Sequence, residues 1–378
     1  MADNKKPRVA VLGGGRGGQA TAGHLLLQGF EVSLFSFFDS ELESIRDKGG
    51  IKLTGAVEGL AKLDLLTTSI DRAVADADVI LSVFPALAHR TLAALLAPCL
   101  RDGQMVVLSP GRTGGAIEFA QTAGAYALSA RITLVEAQTF IYATESAGPA
   151  AVEVMAVKKK VRVAALPAIH TSSALKVLNQ IYPEYAAAQN VLETSLNNVG
   201  AVVHPAPMLL SIGTLERSAA GENLSYYRDV LTPGICELVL EKIDAEKVAV
   251  AKAFGLNAQS AVDWYHECYE VPGDTIYDVL SKNAPYSGYA CPKHLFSDNH
   301  VLDEVPNSLV PMASLGALVG VPTPTIRAIV DLACQICDID FWSQGRTLAR
   351  LGIDGKSPEQ LIDFVEQVEW ATGLRHGL

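Results

Sequence analysis

Gly13-Gly14-Gly15-Arg16-Gly17-Gly18 follows directly on a short β-rich run, residues 8–12, and leads into helical spacing over 17–28. That setting turns a weak G-x-G-x-x-G pattern into a strand–turn–helix unit. Gly13 allows the tight turn, Gly15 lets a pyrophosphate approach the backbone, and Gly18 lets helix and strand pack closely. The helix N-terminus then presents free N–H groups and the positive end of its dipole to phosphates. A chain that begins this way continues as a parallel sheet, because each new parallel strand needs a helical crossover.

The next segments keep that alternation. Residues 31–35, 65–67, 79–84, 105–108 and 132–136 read as strands, and 40–47, 87–100 and 115–123 as helices. The run 79–84 is nearly all apolar, as a strand buried on both faces requires. Near residue 150 the pattern changes. Residues 151–157 and 161–166, joined by Lys158-Lys159-Lys160, read as a hairpin with a charged turn. From about Ser172 helical spacing dominates, over 174–181, 191–215, 234–253, 259–270 and 312–337. Two long stretches between them, 218–233 and 271–311, are rich in Tyr, Gly, Asn, Asp and Pro. Loops that long in a compact domain are more often functional than accidental. The expected fold class is α/β: an N-terminal Rossmann-type doubly wound sheet over 1–185, then a mainly α-helical C-terminal domain over 186–378.

Composition limits what such a chain binds. With 30 Lys and Arg against 41 Asp and Glu, the net charge is −11. That sign argues against nucleic acid or an anionic membrane surface as a general partner, and an anionic small ligand needs a local cluster of donors. The polar start Met-Ala-Asp-Asn-Lys-Lys-Pro does not read as a signal peptide, and no apolar run is long enough to span a bilayer. The six cysteines read as reduced; Cys334 and Cys337 form a C-x-x-C without a second pair, and the histidines show no metal-ligand spacing. The expectation is a soluble, cytoplasmic protein without a metal centre.

Several residues stand out within this frame. Ser36 ends the second strand, where an acidic residue usually meets the adenosine ribose. No Lys or Arg occurs between Arg16 and Arg46 to hold a 2′-phosphate, and Asp39 would repel one, so the balance leans to NAD(H) with NADP(H) still open. Small residues around Pro85, and over Ser109-Pro110-Gly111, sit at carboxyl ends of presumed parallel strands, where ligands bind in open α/β sheets. The cofactor side is therefore Gly13, Gly15, Arg16, Gly18, Ser36 and Pro85. Arg112 is placed to meet a substrate carboxylate as a bidentate partner. His204 lies in an apolar stretch, Asn197 to Pro207, where an imidazole must be hydrogen-bonded or functional. His89, just beyond Pro85, is the next histidine of interest. Asp303-Glu304-Val305-Pro306 offers a carboxylate able to orient a catalytic imidazole.

In combination these segments resemble the octopine/nopaline (opine) dehydrogenase family. The resemblance rests on the glycine loop, residues 109–115 and 161–167, Val203-His204-Pro205, Tyr226-Tyr227-Arg228 with Thr232-Pro233, Tyr286-Ser287-Gly288, and Asp303-Glu304-Val305-Pro306. They occur in the family's order over nearly the whole chain. The resemblance implies NADH- or NADPH-dependent reduction of the imine between an amino acid and a 2-oxo acid, and the reverse oxidation. It places the family's catalytic histidine on His204 and its partner aspartate on Glu304, with Asp303 as the neighbour able to substitute. It puts Arg112, Thr139, Arg228 and Tyr286 on the substrate side. An Arg-Tyr pair common in the family is replaced by Asn299-His300, five residues before Glu304. The implied partners are the amino acid and the 2-oxo acid. A homodimer is compatible, since 312–321 suits a subunit interface as well as a core.

Two other readings fit the same residues. A ketopantoate-reductase-like enzyme acting on 2-oxo or hydroxy acids shares the two-domain plan but relies on a lysine near an asparagine. Here Asn197 and Asn198 are present, and 191–215 contains no lysine. A non-catalytic nucleotide-sensing protein would keep the glycine loop and tolerate loss of His204.

Overall fold

The computed structural model describes residues 6–63, 65–126 and 128–367. Its central sheet has eight strands in the order β12-β11-β8-β7-β6-β1-β2-β5. These are β1 (Val9–Leu12), β2 (Val32–Phe35), β5 (Leu65–Thr67), β6 (Val79–Ser82), β7 (Met105–Leu108), β8 (Thr133–Ala137), β11 (Val161–Leu166) and β12 (Tyr185–Ala187). β1, β6 and β7 are buried along their whole length, which is why they read as unbroken apolar runs and not as alternating ones. From β5 to β8 every pairing is parallel, so the strands' carboxyl ends line one edge. The sheet is mixed, because β11 enters antiparallel to β8.

A second sheet, ordered β4-β3-β10-β9, was not expected as a unit, although its strand β10 falls on the expected run 151–157. It comprises β3 (Ile51–Gly55), β4 (Gly59–Ala61), β9 (Tyr142–Gly148) and β10 (Ala151–Val157). Helix α1 (Arg16–Leu27) packs between the sheets, and Leu25, Leu53, Val152 and Val163 share one core there. The expected hairpin is corrected: β10 pairs with β3 and β9, whereas β11 pairs with β8 and β12. The lysine run is a crossing between sheets. Lys158 turns inward, only 4% exposed, and its Nζ donates to the carbonyls of Phe140 (2.7 Å) and Tyr142 (3.0 Å). Two backbone acceptors replace the water that a lysine run ordinarily seeks.

The helical half is more broken than its spacing suggests. Residues 191–215 form short helices, Val191–Leu196, Gly200–Val203, Pro205–Leu210 and the start of Ile212–Ala219. Asn197 ends the first, and Pro205, which has no N–H to donate, starts the third at N1. The stretch at 312–337 divides into Val310–Leu318 and Pro324–Cys337 around Gly320 and Pro322. Met312, Ala313, Leu315 and Gly316 are buried in the chain's own core, whereas Ala317 and Gly320 of the same stretch are exposed. Among the described residues no single helix is long and apolar enough to cross a membrane.

The halves are joined by buried polar contacts. Arg346, fully buried, donates to Glu118 Oε2 (2.7 Å), to the carbonyls of Gly111 and Thr113, and to His89 Nδ1 (3.0 Å). Glu136, at the end of β8, accepts from Ala116 N, Thr194 Oγ1 and Ser195 Oγ. These contacts hold the 109–115 loop rigidly against the helical half. They satisfy charges that would otherwise be costly to bury.

Candidate active site

The carboxyl ends of β1, β6, β7 and β8 open onto a cavity of about 500 Å³ that the helical half closes. His204, Arg112, Asp303, Thr139, Tyr286, Gly15, Arg16 and Pro85 all line it.

His204 occupies the break between two short helices, with φ −110° and ψ −62°. A continuous helix would carry its side chain along one face, whereas the break turns the ring into the cavity. Nδ1 lies 2.5 Å from Glu304 Oε1. Glu304 is fully buried, and Arg112 Nη2 stands 2.9 Å from the same Oε1. Burial works against charge on Glu304, but Arg112 and His204 outweigh it and hold the carboxyl below its usual range. An ionised Glu304 accepts the Nδ1 proton, which leaves Nε2 for a reacting group.

Asp303 goes elsewhere. Its Oδ1 accepts from Leu87 N (2.7 Å) and its Oδ2 faces Arg112 Nε at 3.6 Å. Burial pushes its pKa up, with Arg112 opposing. It therefore braces Arg112 and the loop after Pro85 and does not touch the imidazole. Arg112 adopts φ +60°, a left-handed conformation that non-glycine residues seldom take. Such local strain is typical of sites that must aim a side chain.

Further residues complete the cavity, none of them assigned a place in the site by the sequence. The His300 ring stacks on His204, with centroids 4.2 Å apart and planes 4° from parallel. Burial first, then the adjacent His204 and Arg112, drives the His300 pKa well below its usual value, so it packs as a neutral ring. Gly200 lets the cluster close, since a Cβ there would stand 2.4 Å from Arg112 Nη1 and 2.6 Å from Glu304 Oε2. Lys158 and a group of aromatic rings, Tyr227, Trp264, Tyr265 and Tyr289, form the rest of the wall. The stacked Tyr227–Tyr286 pair (4.3 Å) was foreshadowed only by the Tyr-rich loops.

The glycine loop has the shape a dinucleotide needs. Gly13 has φ +128°, and a Cβ on Gly18 would lie 1.6 Å from the Gly13 carbonyl oxygen. Gly15 precedes α1 with no side-chain cap, which leaves the first N–H groups to a ligand. Ser36 does follow β2, but its hydroxyl donates to Glu41 Oε2 and accepts from Phe38 N. The carboxylate beside Gly14 and Gly15 thus comes from Glu41, in helix α2 (Asp39–Lys48). Arg46, the first basic residue after the loop, is paired with Asp39.

Two candidates fall outside the cavity. Arg228 is exposed and paired with Asp229 (2.7 Å), with a further contact to the Asn223 carbonyl. Its adjacent carboxylate holds it at the surface, which corrects its placement on the substrate side. His89 is fully buried under Arg346, and burial with that neighbouring cation lowers its pKa to about 3. It is a structural acceptor.

Residues 187–337 match the family model described as NAD/NADP octopine/nopaline dehydrogenase, alpha-helical domain, and residues 8–120 match that of the NAD-dependent glycerol-3-phosphate dehydrogenase N-terminus. An opine dehydrogenase of Arthrobacter sp. (strain 1C) is 40% identical over 94% of this chain and 98% of its own length. Among solved structures, an octopine dehydrogenase in complex with NADH and agmatine superposes with TM-score 0.72 at 19% identity, covering 94% of this chain and 98% of that one. A yersinopine dehydrogenase with NADP+ bound gives TM-score 0.69 at 15% identity, over 97% and 99%. These two similarities are of fold.

Proposed function

The chain belongs to the octopine/nopaline (opine) dehydrogenase family, and on that premise we propose how its cleft joins an amino acid to a 2-oxo acid. It is an NAD(P)-dependent oxidoreductase acting on CH–NH bonds, condensing the two substrates reductively through an imine. NAD(H) or NADP(H), when bound, supplies or accepts the hydride.

The residues that would hold the dinucleotide are Gly13, Gly15 and Gly18 with the N-terminus of α1, flanked by Arg16 and Pro85. The carboxylate of Glu41 beside Gly14 favours a free ribose over a 2′-phosphate, so NAD(H) is the preferred form.

His204 is the acid–base residue. Its Nε2 would give the proton with which the carbonyl oxygen leaves as water when the imine forms, the imine carbon being the atom then reduced, and would remove the proton from the secondary amine in the reverse direction. Glu304 holds Nδ1–H, fixes the ring and stabilises the imidazolium. Arg112 keeps Glu304 ionised and turns its remaining donor surface, about 20% exposed, toward a substrate carboxylate. Thr139 and Tyr286 line the substrate side. Enclosure between the halves excludes water from an imine that hydrolyses readily.

The observation that carries this reading is the convergence of His204, Glu304 and Arg112 on the cavity beside the glycine loop. NADH and NADPH oxidation screened over pairs of amino acids and 2-oxo acids tests it. Oxidation that requires both partners is the expected result. Oxidation with the oxo acid alone would instead mark a hydroxyacid-forming reductase.

A further inference from the structure

The far wall of the cavity carries a chemistry that the acid–base machinery does not use. Tyr227, Trp264, Tyr265, Tyr286 and Tyr289, with Met155, make an aromatic and apolar lining. The rings support one another: Tyr227 stacks on Tyr286, Trp264 meets Tyr265 edge-on at 4.9 Å, and the hydroxyls of Tyr269 and Tyr286 are 2.7 Å apart. The Tyr286 hydroxyl is engaged by Tyr269 and that of Tyr289 accepts from Arg16 Nη2 (3.3 Å), so neither is left over to solvate a charged side chain. Tyr226 links it to the acid–base pair, with its ring 5.2 Å from Tyr227 and 6.5 Å from His204.

A box of this kind would ordinarily suit a cation, because ring faces attract ammonium and guanidinium groups. Here an internal cation already holds that position. Lys158 Nζ lies 5.9 Å from the Trp264 ring and 5.6 Å from that of Tyr269, fixed by the Phe140 and Tyr142 carbonyls. The one carboxylate among the described residues lining the cavity is Asp303, already engaged by Arg112 and Leu87 N. A second cation entering the box would lose its water, meet Lys158 and find no counter-ion. An apolar side chain suffers none of these penalties.

We propose that the amino-acid partner carries an uncharged apolar or aromatic side chain, seated in the Tyr227–Trp264–Tyr286 box, and that Lys158 is the specificity residue that rejects cationic amino acids. This rests on the imine-reducing reading and narrows its substrate class. Rejection works through a repulsive element built into the pocket as well as through the fit of the favoured group.

The test measures kcat/KM with saturating NADH and a fixed 2-oxo acid, pyruvate, for leucine, phenylalanine, arginine, lysine and glutamate. Leucine or phenylalanine is expected to exceed arginine and lysine by roughly 100-fold, the size of like-charge repulsion at this range in a partly screened site. Lys158→Met is expected to narrow that gap at least tenfold, with NADH affinity and far-UV circular dichroism reporting that the variant is folded. Arginine, lysine or glutamate matching leucine in the wild type overturns the proposal, and so does an unchanged ratio in a folded Lys158→Met. If that variant does not fold, the wild-type panel decides alone. NADH oxidation by pyruvate with no amino-acid dependence is a different result, because it removes the imine reading itself.

Discussion

His204 and Glu304, 100 residues apart in sequence, meet through a 2.5 Å contact between Nδ1 and Oε1. Glu304 reaches the ring from a fully buried position. His204→Ala should lower kcat by about 100-fold or more while leaving NADH affinity nearly intact. Steady-state kinetics with a nucleotide-binding titration checks this, and full activity in that variant would remove His204 from the chemistry.

Arg112 governs the protonation of the pair. It holds the Glu304 carboxyl low, so removing it raises that pKa and protonates the pair's carboxylate at higher pH. Arg112→Met should therefore move the acid limb of the kcat/KM–pH profile upward. The profile of Arg112→Lys should lie between the two. An acid limb that stays put in Arg112→Met would mean that Glu304 is not the group titrating there.

Gly200 is a steric prediction. A methyl at that position would press on both Arg112 Nη1 and Glu304 Oε2. Gly200→Ala should reduce kcat/KM by roughly tenfold or more through misplacement of the pair. NADH affinity should not follow, since the glycine loop is a separate element. Parallel losses in both quantities would point to a general folding defect.

Cofactor choice should follow Glu41. Glu41→Gln is expected to raise the affinity for NADPH relative to NADH about tenfold, read by nucleotide fluorescence. Ser36→Asp should weaken both nucleotides instead, because Ser36 is buried against Gly14 and hydrogen-bonded to Glu41. An NADPH-selective penalty in Ser36→Asp would show that position 36 itself faces the ribose.

Stability should depend on pH through His89. Its ordinary pKa of 6.5 falls to about 3 in the folded chain. Between those values the unfolded chain binds a proton that the folded chain refuses. Stability therefore falls as pH drops through that window, by up to about 1.4 kcal/mol per pH unit from this group. Denaturant titrations of His89→Gln at pH 7 and pH 5 should show a shallower loss than the wild type. Equal slopes would assign the acid sensitivity to other groups.

The parallel strands were legible because burial on both faces writes itself as unbroken apolar runs, as in β1, β6 and β7. The second sheet was not, because β3 and β4 are short and their glycines suggest turns. The run 191–215 looked like one helix because its apolar spacing survives the breaks at Asn197 and Pro205. Lys158 was misread for a similar reason: composition records its charge but not the two carbonyls that make its burial tolerable. Its place in the cavity has no local signal.

By itself the sequence determined the strand–glycine loop–helix, the α/β order that follows, and the His-Pro and Asp-Glu-Val-Pro segments that point to acid–base chemistry. These are local patterns, and local patterns need only neighbouring residues to be read. Tertiary structure alone decided that Glu304 and not Asp303 meets His204, that Glu41 stands by the glycine loop, that Arg228 is on the surface, and that a lysine sits among the substrate-side rings. Each depends on where distant backbone segments cross, and on which buried charge finds a partner there.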